Sequence, residues 1–374
     1  MRTRTQETPL NNDNASRRGA PPHHFIDDAW LALRDEPVLD AGQPIVDPHH
    51  HLWDRPHHRY LLPEILADLN TGHQVRGTVF VECSSMYRAD GDPRFASVGE
   101  VEFVNGIGAM SASGVYGPTR VCAGIVGKVD LRLGSFAQEV LEACVARAPD
   151  RFRGIRHMAA WDASPQVSSL LRPPPKDMLL DPALREGYAV LGRMDLSFDA
   201  WVYHPQLPQL VALIDAVPGT PVVLNHLGGR AGLGPYAGRG DEVFQAWKAS
   251  IQALARRPNV TVKLGGIGMR LGGFDFHERA LPPTSEELAQ AWGPYVQTCI
   301  EAFGPSRAMF ESNFPVDKSC CTYRVMWNAF KRMAEGFSES EKADLFAGSA
   351  VRAYRLPAEL ARPAPQPAST EVVQ

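Results

Sequence analysis

The stretch Ile45-Val46-Asp47-Pro48-His49-His50-His51-Leu52-Trp53-Asp54 decides how the rest of the chain is read. Two apolar residues lead into an Asp and then into three histidines. If Ile45 and Val46 end a buried strand, the side chains beyond them alternate in direction. His49 and His51 then point one way and His50 the other. Two imidazoles on one side of a strand end suit a divalent metal, or an acid–base pair aimed at one substrate. A bare His-x-His in a solvated loop would lack the apolar lead-in.

Working outward, residues 44–47 are the first of eight short apolar runs. The others are 76–82, 121–126, 152–157, 196–203, 221–225, 260–264 and 307–312. Several are dominated by β-branched and aromatic residues, as buried strands require. Between them, residues 99–111, 135–147, 182–191, 206–216, 241–256, 285–303 and 322–335 carry apolar residues at three- and four-residue spacing. These are helix candidates, with a last one at 338–354. Eight strand–helix repeats predict a (β/α)8 barrel (TIM barrel) in a single domain.

The connections support this. Helix-to-strand links are short and turn-like, at 149–151, 217–219, 257–259 and 304–306, whereas strand-to-helix links such as 48–72 and 159–181 are long. In such barrels the long loops gather at the C-terminal face, where active sites are built. A doubly wound sheet would want a glycine phosphate turn after its first strand, and histidines stand there instead.

The composition is that of an ordinary soluble protein: 374 residues, 44% hydrophobic and 21% charged. The net charge of −4 gives no footprint for nucleic acid or an anionic membrane surface. No apolar run is long enough to span a bilayer, and the polar N-terminus lacks a signal-peptide core. The cysteines show no zinc-type or redox spacing, so a reducing, cytoplasmic compartment is expected. Residues 1–22 and 359–374 read as disordered tails, leaving 23–358 as the barrel. A homodimer is compatible with such a barrel, but no stretch specifies one.

In a barrel, the polar residues at the strand ends face one shared pocket. Strand one gives His49 and His51, and strand two ends at Glu82. Strand three ends near Lys128 and Asp130, and strand four gives Arg156 and His157. Strand five ends in Tyr203-His204, strand six in Asn225-His226, strand seven carries Lys263, and strand eight ends in Glu311-Ser312-Asn313. A single strand-end histidine is usually structural, but histidines at half of the strand ends are hard to reach by chance.

With these motifs the chain resembles the amidohydrolase-related (amidohydrolase-2) family of the amidohydrolase superfamily. Within it, the chain is similar to the group of pyrone-dicarboxylate lactonase and sugar-lactone hydrolases. The resemblance runs from Ile45 to about Ala353. It rests on Val46-Asp47-Pro48-His49-His50-His51-Leu52-Trp53, Phe152-Arg153-Gly154-Ile155-Arg156, Tyr203-His204, Asn225-His226-Leu227-Gly228, Val262-Lys263-Leu264 and Phe310-Glu311-Ser312-Asn313-Phe314-Pro315. It implies hydrolysis of a lactone or related cyclic ester or amide. The family's eighth-strand motif is Ser-Asp-Trp-Pro, whose Asp is a general base or metal ligand. Asn313 stands there instead, and an amide cannot take a proton from water. The family's sixth-strand Asp is likewise Asn225. The base then moves to Glu82, Glu311, Asp317 or a histidine, or the chemistry differs.

The expected catalytic set is therefore His49, His51, His204, His226, Glu82 and Asn313. His49, His51 and His226 are the candidate ligands of zinc or manganese, although the missing carboxylate leaves a metal-free route equally open. Arg156, Lys128 and Lys263 would place cations in a dry pocket and predict a small-molecule substrate bearing an anion, unless they pair with Glu82, Asp130 or Glu311. Tyr203 and Trp53 would line the substrate's apolar side. The glycine-rich loops at 227–234 and 265–273 read as a pair of lids. A metal-dependent decarboxylase and a degenerate metabolite-binding barrel are the rival readings.

Overall fold

The computed structural model describes residues 26–56, 58–168 and 173–363. Its strands are β1 (Pro44–His50), β2 (Gln74–Val81), β3 (Arg120–Gly127), β4 (Phe152–Met158), β5 (Ser197–Trp201), β6 (Val222–Leu224), β7 (Val260–Leu264) and β8 (Ala308–Phe310). All run parallel, and they neighbour one another in chain order. The two ends of the sheet meet just beyond β8. The His51 amide donates to the Phe314 carbonyl at 2.8 Å, and the Asn313 amide donates to the His49 carbonyl at 2.9 Å. Sequential order with a seam between first and last strands makes a barrel and excludes the doubly wound alternative.

Each strand is followed by a helix: α1 (Leu62–Leu69), α2 (Val98–Ala112), α3 (Ala137–Arg147), α4 (Pro182–Arg193), α5 (Leu207–Ala216), α6 (Gly240–Ala255), α7 (Ser285–Phe303) and α8 (Tyr323–Met333). Start signals sit where helix physics wants them. Thr284 and Glu287 form a reciprocal capping box ahead of α7, and Asp181 caps α4 just before Pro182. The span 48–72 is more than a loop. It holds a two-stranded hairpin (Trp53–Arg55 with His58–Tyr60) and α1, whose two turns are too short for a clear periodic signal.

Two apolar layers result. The larger lies between sheet and helices. The smaller fills the barrel, where Val46, Val79, Val81, Val126, Val223 and Met309 meet Tyr354, Leu356 and Leu360 from the C-terminal segment. Val79 and Val81 share a face because strand side chains alternate. The C-terminal segment corrects the expected boundary at residue 358. Ala358–Ala361 forms a short 3-10 turn, and Leu360 is buried. A Cβ on Gly77 would lie 2.9 Å from Leu360 Cδ1, so the strand leaves room for this plug. Burying one leucine is worth about 1.5–3 kcal/mol. The neighbouring prolines masked that signal in the sequence. The expectations for residues 1–22 and 364–374 lie outside the described residues.

Candidate active site

β1 divides its three histidines as alternation requires. His50 turns into the layer behind the barrel, where its Nε2 meets the Thr78 hydroxyl at 2.8 Å, and burial drops its pKa to about 3. His49 and His51 turn inward, with ring centroids 5.0 Å apart. Asp47 is a strap between the first and last strands. It accepts from the Ser312 amide at 3.0 Å and from the Tyr323 hydroxyl at 3.1 Å, and burial raises its pKa to about 6.

The tautomer of each inward histidine follows from its partners. His51 Nδ1 lies 2.8 Å from the Val81 carbonyl, which can only accept, so Nδ1 carries the proton and Nε2 a lone pair. His49 Nε2 lies 3.3 Å from Arg156 Nη1, which can only donate, so Nε2 accepts and Nδ1 holds the proton. That Nδ1 is 2.6 Å from Glu311 Oε2 and 3.3 Å from the Lys263 ammonium. The close oxygen is poorly aligned for a hydrogen bond, so the contact is chiefly electrostatic. His226 Nδ1 lies 2.6 Å from Glu311 Oε1 and donates to it, leaving His226 Nε2 without a partner among the described residues.

Glu311 therefore joins His49 and His226, whose ring centroids are 4.6 Å apart. Burial, chiefly, raises its pKa to about 8. Burial, reinforced by Lys263 and Arg156, holds His49 and His226 well below the ordinary imidazole value, and His51 is lowered by burial and Arg156. All three rings are neutral. The close approach of His226 requires glycine, since a Cβ on Gly266, where φ is +65°, would lie 2.0 Å from its Nδ1.

Arg156 is anchored by Glu82, with Nε 2.8 Å from Oε1 and Nη2 donating to the Glu82 carbonyl. Glu82 thus serves as the counter-ion of Arg156, which corrects its expected role as a base. The placement of Lys263 corrects another expectation. It is wholly buried, 3.3 Å from His49 Nδ1 and 2.8 Å from Asp199 Oδ2, so its charge is paired inside the protein. The same Asp199 oxygen accepts from the Tyr354 hydroxyl at 2.7 Å and from Asn225 Nδ2 at 2.9 Å. Lys128 is half-buried and has no ion pair among the described residues. Its expected partner Asp130 pairs with Arg132 at 2.7 Å. The case for an anionic substrate now rests on Lys128 alone.

His204 and Tyr203 also stand apart from the cluster. β5 ends at Trp201, so its inward positions belong to Asp199 and Trp201, and His204 falls in the turn that follows. His204 Nδ1 accepts from the Ala231 amide at 3.3 Å, and its ring packs on Tyr236 at 4.8 Å. The Tyr203 hydroxyl donates to the Val167 carbonyl. Trp201 packs edge-on against His226 at 4.6 Å, a contact the sequence reading missed. An Asp and a Trp two residues apart in an apolar strand were the available signal. Trp53 stacks behind His51 at 5.8 Å with Arg55 over its ring.

Asn313, at φ +55°, places Oδ1 3.3 Å from His51 Nε2 while its Nδ2 donates to Asp317 at 2.9 Å. Asp317 also accepts from the Gly268 amide, and burial pushes its pKa to about 8. With the His51 proton held by Val81, two acceptors face each other across that 3.3 Å gap. Two neighbouring ligands about 2.1 Å from one ion stand at such a separation. His49, His226 and Glu311 offer donor atoms within 4.8 Å of one another. The residues fit a divalent cation by type and spacing, while Arg156 and Lys263 offset the carboxylate charge that would hold it.

The model of the amidohydrolase family matches residues 46–356. This chain belongs to the amidohydrolase family. As an amidohydrolase it is a hydrolase. A Sinorhizobium fredii protein named only "uncharacterized protein y4mH" is 30% identical over 83% of this chain and 98% of its own length. An L-fucono-1,5-lactonase of Burkholderia multivorans is 28% identical over 63% of this chain and 72% of its own. The crystal structure of a Burkholderia multivorans amidohydrolase with bound zinc superposes with a TM-score of 0.64 at 26% identity, over 84% of this chain and all of that one. The resemblance read from the sequence is thus correct. Among the described residues, no helix of this amidohydrolase is long and apolar enough to cross a membrane.

Proposed function

We propose that this amidohydrolase opens a lactone of the sugar-lactone type. The observation that supports this reading is the Glu311–His226 pair, in which Glu311 Oε1 accepts Nδ1–H at 2.6 Å and leaves a neutral Nε2 free to act as base. The L-fucono-1,5-lactonase relative supplies the substrate class.

In this mechanism His226 Nε2 takes a proton from water as its oxygen bonds to the lactone carbonyl carbon. Of its five N–H groups, Arg156 uses three on Glu82 and His49, and the remainder stabilise the oxyanion. The tetrahedral species collapses by breaking the bond to the ring oxygen, which recovers the proton from His226. His49 is locked between Arg156 and Glu311 and orients both. His49, His51, His226, Glu311 and Asn313 are the residues that would hold a divalent cation, which when bound lowers the pKa of its water to near neutrality.

The test is a panel of aldonolactones beside a panel of phenolic acids, assayed with wild type and His226→Asn. Lactone opening that falls about 10²–10⁴-fold in the variant is expected. Release of carbon dioxide from the acids with no lactone opening would overturn the reading in favour of a decarboxylase.

A further inference from the structure

Asp317, four residues beyond Asn313, is fully buried and touches both the site and one of the glycine-rich loops. Its amide donates to the Asn313 carbonyl at 3.2 Å. Its two side-chain oxygens serve donors from different parts of the chain. Oδ1 accepts from Asn313 Nδ2 and Oδ2 from the Gly268 amide, each at 2.9 Å. Gly268 belongs to the loop 265–273, which is tied in turn to the loop 227–234. The Gly232 amide donates to the Leu271 carbonyl at 2.8 Å, and Arg230 Nη1 to the Gly272 carbonyl at 2.6 Å.

The bond to Oδ1 decides which way the Asn313 amide faces. Without it, the amide would turn Nδ2 toward His51 Nε2, a donor meeting an acceptor, and the two would satisfy each other. Asp317 holds Nδ2 on the other side, so Oδ1 faces His51 Nε2 across 3.3 Å with no proton between them. The two acceptors then form a seat for a group that brings a donor, such as water or a lactone hydroxyl. An Asp, charged or protonated, presents an oxygen to both Gly268 and Asn313, whereas an amide has one oxygen and one NH2. When the loop lifts, Oδ2 loses its donor inside the protein, which is costly. The carboxyl group then turns to find another, and Asn313 is released.

We propose that Asp317 is a positioning residue that couples closure of the loop 265–273 to the orientation of Asn313 opposite His51. Its consequence for turnover rests on the lactone reading, and the coupling itself does not.

Two readouts need no substrate. One is tryptic cleavage after Arg270, which lies in the loop. The other is the 15N resonance of His51 Nε2, which shifts when a donor replaces an acceptor opposite it. Gly268→Ala perturbs the loop, since a Cβ there would lie 3.0 Å from Asp317 Oδ2 and 3.2 Å from Cys320 Cβ. It should speed cleavage about tenfold, the loss of one buried hydrogen bond, and shift the His51 resonance. Faster cleavage with an unmoved resonance would overturn the coupling. Asp317→Asn can serve one donor only, so a change in neither readout would overturn it as well. Should that variant fail to fold, Gly268→Ala carries the test. Asn313→Asp/Asp317→Asn restores an oxygen for Gly268 and an N–H···O bond between the two side chains. It should bring cleavage back to within about twofold of wild type, and a loop left unprotected would count against Asp317. With a lactone that wild type opens, Gly268→Ala should lower kcat about tenfold and leave KM little changed. A wild type that opens no lactone refutes the lactone reading, while cleavage and resonance still decide the coupling.

Discussion

Lys263→Met tests whether the ammonium at the end of β7 is an internal counter-ion or a substrate contact. Lys263 and Asp199 are both fully buried, 2.8 Å apart. Among the described residues, replacing the ammonium by a thioether leaves the Asp199 carboxylate with only Tyr354 and Asn225 as donors, and its Oδ1 already has no partner there. Removing one member of a buried pair costs about 3–5 kcal/mol, because the other charge stays behind uncompensated. Lys263→Met/Asp199→Asn removes both charges and should recover about half of that loss. Urea unfolding of wild type, the two single variants and the double variant, followed by far-ultraviolet circular dichroism, closes the cycle. A Lys263→Met protein within about 1 kcal/mol of wild type, or a double variant no more stable than that single one, would refute the buried-pair reasoning. A raised KM with unchanged stability would restore the substrate-contact role.

Three other outcomes follow from the same geometry. Burial, with help from Glu82, raises the pKa of Glu100 to about 7 from an ordinary 4.5, so the folded state keeps a proton that the unfolded state releases. The stability this confers is full below the unfolded value and lost as pH rises through about 7. Glu100→Gln does not titrate there, so its unfolding free energy should gain on wild type by up to about 3 kcal/mol between about pH 5 and about pH 8, with no gain refuting the shift. Asn313→Asp places a carboxylate against His51 Nε2, and elemental analysis after a chelator wash should find more retained zinc than in wild type. Equal zinc content would mean that residue 313 faces no metal. Gly266→Ala drives a methyl into His226 and strains a left-handed backbone position. It should lower kcat about as far as His226→Asn, with about 1–3 kcal/mol of lost stability in thermal melts.

The barrel was legible in the sequence because its signals are local. Short β-branched runs, amphipathic stretches and unequal loops repeat in step, and strand parity alone separates His50 from His49 and His51. Parity tells which side a residue faces but not what it meets there. Lys263 was therefore read as a pocket cation, although its charge is paired with Asp199 inside the protein. His204 failed for a different reason. The apolar run 196–203 outlasts the paired strand, which stops at Trp201, so the histidine was carried to the wrong place. Tyr354 was beyond reach, since its hydroxyl meets Asp199 across 155 residues of chain. For Glu82, a carboxylate at the end of an apolar strand, the sequence left catalysis and pairing with a strand-end cation side by side, and the contact with Arg156 decides between them.

The seam between first and last strands bears on how the molecule comes into being. His49 and His51 lie on one side of it, Glu311 and Asn313 on the other, and His51 and Asn313 are 262 residues apart in sequence. No partial barrel can therefore contain the site. During synthesis the histidines emerge early and wait for nearly the whole chain before their carboxylate arrives. Onset of turnover in a refolding experiment would time ring closure itself, and two fragments cut in a surface loop would be silent apart and competent only when they associate.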